Sequence, residues 1–190
     1  MNLPNKLTVA RVIAVPFYVA FMLISAIPYN YLWALALFGA ASITDMIDGK
    51  IARKNNLVTD LGKFLDPLAD KVLVAAALIC MVELGWTASY LVIIIISREF
   101  IVSALRLAAA SSNDHTVIAA GIWGKLKTAF TMIAICVITV LHILLDNFAV
   151  PDAGFPTGII SDILMWISTV LTVISGVVYI VSYKHLLKSK

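Results

Sequence analysis

The chain has 190 residues, 62% of them hydrophobic and 13% charged, with a net charge of +3. A soluble domain carries about 25% charged residues, so this composition excludes an ordinary water-facing globule and makes lipid the expected solvent. A single membrane domain over residues 1–190 is expected, with no nucleic-acid partner. No cleaved leader is expected either, because the first apolar run lacks a small-residue cleavage site.

A helical span needs about 20 apolar residues. Six runs qualify: Thr8 to Ile27, Tyr31 to Ala52, Phe64 to Leu84, Ala88 to Ala110, Leu126 to Leu145 and Ile159 to Tyr183. Barrel strands would alternate polar and apolar residues, which these runs do not. The expected fold class is therefore an all-α integral membrane protein with six transmembrane helices. A short interfacial segment, Met1 to Thr8, precedes them, with Pro4 suited to an early helical position. Cys80 and Cys136 fall inside apolar runs and read as buried thiols, with a disulfide as the alternative.

Basic residues orient the spans. Lys6, Arg11, Lys50, Arg53, Lys54, Lys63, Lys125, Lys127, Lys184, Lys188 and Lys190 all fall on one side, whereas the opposite connections hold only Glu83, Asp146 and Asp152. Both termini are expected in the cytosol.

Two spans carry acids near their cytosolic ends: Asp45 and Asp48 on the second, Asp66 and Asp70 on the third. The spacings i, i+3 and i, i+4 put each pair on one helix face. Lys54 to Leu61 joins the two spans as antiparallel neighbours, so the pairs can face each other at one depth. At about 2.5–3.5 kcal/mol per charge at a helix centre, and less near the interface, four unpaired acids are costly. Arg53 cannot neutralise them all. Divalent cations can, and oxygen-only ligands indicate a hard ion such as Mg²⁺ or Mn²⁺. Gly49, Ala52 and Gly62 admit either close approach of a ligand or ordinary helix packing.

Asp45-x-x-Asp48-Gly49-x-x-Ala52-Arg53, then eight residues, then Gly62-x-x-x-Asp66-x-x-x-Asp70 resembles the full CDP-alcohol phosphotransferase motif. Leu3 to Arg11, Arg98 to Arg106 and Gly124 to Thr128 resemble the bacterial phosphatidylglycerophosphate synthase branch of that family. The last span is generic. The resemblance implies a homodimer with its active site open to the cytosolic leaflet, amid membrane lipids. It also implies displacement of CMP from CDP-diacylglycerol by sn-glycerol 3-phosphate.

By the same resemblance, Asp45, Asp48 and Asp66 hold the metals. Asp70 contacts one metal and accepts the alcohol proton. Arg53 meets the diphosphate with its planar fork. Pro4, Asn5, Gly49 and Thr59 match positions near the CDP moiety, although Thr59 could equally cap a helix. The acceptor's phosphate needs further cations, and Arg98, Arg106, Lys125 and Lys127 are the candidates. Arg98 could instead pair with Glu99, and Lys125 and Lys127 could anchor a span at the headgroups. Two other functions stand beside this one: a sister enzyme, such as a cardiolipin or phosphatidylinositol-phosphate synthase, and a cation transporter. The second fits less well, because transporters place acids near the midplane within repeated halves.

Overall fold

The computed structural model describes residues 3–54, 60–110, 121–148 and 157–182. Side chains are described throughout these except at 3–7, 45–54, 60–68, 70, 107–110 and 147–148. The described residues form six helices and no strand: α1 (Leu3–Leu23), α2 (Asn30–Lys54), α3 (Asp60–Glu83), α4 (Ser89–Ala110), α5 (Ile122–Phe148) and α6 (Thr157–Ser182). Each overlaps one of the six apolar runs, with ends displaced by about a turn in places.

The largest offset is at the amino end. α1 is one continuous helix from Leu3, so from that residue on there is no separate interfacial element ahead of the first apolar run. Pro4 sits in the first turn, where its missing N–H is not needed, and nothing from Asn5 to Thr8 interrupts the ladder. Pro16 lies inside α1 and removes one N–H from that ladder.

The turns are set by local backbone bonds. Tyr29 adopts φ 55°, uncommon for a non-glycine residue. Its carbonyl accepts the N–H of Leu32 at 2.9 Å and of Trp33 at 3.2 Å, which starts α2. α3 closes with Leu84 N–H on the Cys80 carbonyl at 3.0 Å, and Gly85 at φ 73° supplies the left-handed residue that stops it.

The helices group into two compact units. The first is Met1–Leu84 with Cys136–Thr157; the second is Gly85–Ile135 with Gly158–Lys190. In the first, α1 packs along both α2 and α3, which touch each other much less. Tyr18, Met22, Phe38, Leu78 and Met81 are buried there, with the Tyr18 and Phe38 rings 5.9 Å apart and tilted by 48°. Cys80 and Cys136, both in this unit, are free thiols.

In the second unit, α6 is polar inside and apolar outside. Ser161, Ser168, Thr172 and Ser175 are buried, while Ile159, Ile163, Trp166, Val170, Val173, Val177 and Val181 are exposed. Thr131 on α5 meets Ser168 hydroxyl to hydroxyl at 2.6 Å. Small hydroxyl residues let helix backbones approach closely and bond across the contact. The helical segments Ile122–Asp146 and Thr157–Ser182 are long and apolar enough to cross a membrane.

Candidate functional site

Two groups of chemistry-bearing residues stand out, one in each unit. In the first unit, Asp48 lies six residues before the end of α2 and Asp66 six residues after the start of α3. At 1.5 Å per residue both are about 9 Å along their helices from the connecting segment. Asp45 and Asp70 each lie about one further turn away. Asp48 and Asp66 thus stand at equal counts from the end of α2 and the start of α3. Gly49 and Arg53 follow on α2. Pro4 and Asn5 lie in the first turn of α1, the helix that packs against both acid-bearing helices.

The side chains of Asp45, Asp48, Gly49, Arg53, Asp66 and Asp70, like those of Pro4 and Asn5, lie outside the described ones, and Thr59 lies outside the described residues. By sequence, four carboxylates at i, i+3 and i, i+4 on two helices would make an oxygen-only donor set. That set fits a hard divalent ion and does not favour a soft one.

The second unit carries the cations, and here the contacts are explicit. Arg98 on α4 donates from one terminal nitrogen to Glu99 Oε1 at 3.1 Å and from the other to Ser175 Oγ on α6 at 2.6 Å. Lys127 on α5 pairs with the same Glu99 oxygen. The Lys127 side chain is only 5% exposed and that of Arg98 only 11%, so Glu99 is the shared counter-ion of two nearly buried cations. Lys127 therefore does not reach for a headgroup, whereas Lys125 is exposed.

Arg106 uses α6 differently. Its Nε–H donates to the Tyr179 hydroxyl at 2.7 Å, with the guanidinium carbon 4.9 Å from the ring centroid. Arg98 approaches the same ring at 5.9 Å. Both distances fall within cation–π range. Beside this cluster is a cleft of about 70 Å³. It lies between Gly121, Trp123 and Gly124 at the start of α5 and Ser175, Tyr179 and Ser182 on α6. That is room for several waters.

The structure thus brings Arg98, Lys127 and Arg106 into one network and leaves Lys125 at the surface of the same unit. Three residues of the network were not sequence candidates for the site. The sequence offers Glu99 only as a partner of Arg98, and its bond to Lys127 on α5 has no sequence signal. Ser175 and Tyr179 sit in a helix with several other hydroxyl residues, and nothing in the sequence sets them apart.

The family described as CDP-alcohol phosphatidyltransferase matches residues 1–174 of this chain. A CDP-diacylglycerol–glycerol-3-phosphate 3-phosphatidyltransferase of Bacillus subtilis (strain 168) is 42% identical over 186 residues, covering 92% of this chain and 91% of the relative. A protein of the same name from Rickettsia bellii is 38% identical, covering 94% and 93%. An Arabidopsis thaliana protein of that name with the suffix 2 is also 38% identical, covering 94% and 78%. With its aspartate frame on α2 and α3, the chain belongs to the CDP-alcohol phosphatidyltransferase family.

Proposed function

We propose that this enzyme transfers the phosphatidyl group of CDP-diacylglycerol to sn-glycerol 3-phosphate, giving phosphatidylglycerol phosphate and CMP. The observation that carries this reading is the match, over 92% of the chain, to a relative whose name states that reaction. The cation network adds support for the acceptor. Arg98 and Lys127 meet Glu99, and Arg106 stands beside them on Tyr179, so three cations gather in one unit, as a phosphate dianion would require.

Asp45, Asp48, Asp66 and Asp70 would hold two divalent ions, Mg²⁺ or Mn²⁺. Ions held there would neutralise diphosphate charge and polarise the reacting oxygens. Asp70 takes the proton as the acceptor hydroxyl attacks the phosphorus nearest the diacylglycerol. The diphosphate P–O bond then breaks and CMP leaves. Arg53 orients the diphosphate, and Pro4, Asn5, Gly49 and Thr59 bound the CDP moiety. Arg98, Arg106, Lys125 and Lys127 serve the acceptor's phosphate.

In this reading all six helices span the membrane, both termini face the cytosol, and the enzyme is a homodimer in a bacterial plasma membrane. The inside-out surface of α6, with hydroxyls buried and aliphatics exposed, is what a lipid-facing helix requires.

The test is CMP release by purified protein in mixed micelles with CDP-diacylglycerol and Mg²⁺ or Mn²⁺. Glycerol 3-phosphate is expected to support turnover. Turnover with inositol phosphate or phosphatidylglycerol instead would assign the chain to a sister enzyme. Cation flux into liposomes without CMP release would point to a transporter.

A further inference from the structure

Building on the acceptor reading above, we infer that the Ser175–Gly176 step of α6 is a seat that positions Arg98 toward the acceptor's phosphate. Two independent features make the seat. Ser175 Oγ accepts from Arg98 at 2.6 Å, which fixes one terminal nitrogen of the guanidinium. Gly176 clears the path of the stem: a Cβ at position 176 would lie 3.1 Å from Arg98 Cγ and 3.8 Å from Nε. The first distance is closer than ordinary packing allows, and the stem cannot simply retreat, because its head is tied to both Ser175 and Glu99.

The seat also leaves donor capacity unspent. Guanidinium has five N–H groups in a rigid fork. Arg98 Nε is buried with no hydrogen-bond partner among the described residues. A buried donor left unmade is costly, and an anion that accepted from it would relieve that cost. Ser175 lines the cleft between α5 and α6 as well, so the residue that holds Arg98 also forms part of the cleft wall. The helix that carried no signal in sequence thereby sets the aim of a cation on α4.

Steady-state kinetics with varied glycerol 3-phosphate and varied CDP-diacylglycerol test this. Ser175→Ala is expected to raise the KM for glycerol 3-phosphate about three- to tenfold, the size of one lost hydrogen bond, with the KM for CDP-diacylglycerol unchanged. Gly176→Ala is expected to act in the same direction, and Ser175→Thr, which keeps the hydroxyl, to restore the wild-type value. In an Arg98→Ala background, Ser175→Ala is expected to add nothing, because the serine acts through the arginine. Should Gly176→Ala fail to fold, Ser175→Ala and its threonine rescue carry the test alone. The inference is overturned by an unchanged acceptor KM, by equal rises in both KM values, or by effects that add to those of Arg98→Ala. Wild-type protein that releases no CMP with glycerol 3-phosphate is a separate result: it sinks the acceptor reading first, and the seat's proposed purpose with it.

Discussion

Arg106 and Tyr179 are joined twice, by an Nε–H bond to the phenol oxygen at 2.7 Å and by a guanidinium carbon 4.9 Å from the ring centroid. The ring is 5% exposed while the arginine is exposed, so a fixed aromatic on α6 restrains a cation that would otherwise swing freely. Tyr179→Phe keeps the ring and removes only the bond. It is expected to raise the KM for glycerol 3-phosphate by about two- to tenfold, the worth of one hydrogen bond. Initial rates at varied acceptor check this, and an unchanged KM would mean the phenol serves packing alone.

Removing the cation itself should cost more. Arg106→Ala or Lys125→Ala is expected to raise the acceptor KM about ten- to a hundredfold, because a charge-assisted contact is worth about 1.5–3 kcal/mol. The KM for CDP-diacylglycerol is expected to stay put, since in the proposed reading the diphosphate relies on Arg53 and the aspartate frame. If both residues only anchor helices, the variants lose thermal stability in detergent while both KM values hold.

Glu99 supports a prediction about stability. It meets both Arg98 and Lys127, and its side chain is 21% exposed. Glu99→Gln removes the negative charge that two nearly buried cations share. Breaking a buried pair costs about 3–5 kcal/mol, with the lower end apt for a partly exposed acid. Thermal unfolding in detergent micelles should show a clear drop, and adding Lys127→Met should recover part of it by removing one stranded charge. No recovery would mean that Glu99 stabilises by some other route.

The helices were legible because each apolar run is long enough to be unambiguous, and the runs appear in order as α1 to α6. The ends were not, because polar flanks such as Leu3 to Thr8 and Ile122 to Lys125 continue a helix without raising its hydropathy. The equal counts of Asp48 from the end of α2 and Asp66 from the start of α3 follow directly from where the two helices lie in the sequence. The network around Arg98 was only half legible. An arginine inside an apolar run signals its own need for a partner, and the adjacent Glu99 supplied one of the answers. Ser175, Gly176 and Tyr179 meet Arg98 or Arg106 only when α6 packs against α4, more than seventy residues away along the chain. Pairings of that range leave no periodic trace.

The sharpest test of mechanism falls on Asp70. If it takes the acceptor's proton, Asp70→Asn should leave CDP-diacylglycerol binding largely intact while turnover nearly disappears. The amide keeps the size of the carboxylate and one oxygen able to face a metal, but its nitrogen cannot accept a proton. Loss of a general base costs about 10²–10⁴-fold, so kcat should fall into that range. Asp45→Ala is the contrast. It removes a ligand rather than a base, so activity should fall with a weakened response to Mn²⁺, read as a higher half-saturating concentration. Retention of more than roughly a tenth of wild-type kcat by Asp70→Asn would remove Asp70 from the role of base. A shift in Mn²⁺ half-saturation for Asp70→Asn as large as that for Asp45→Ala, with kcat recovered at high Mn²⁺, would make Asp70 a metal ligand only. The proton would then have to leave by another group.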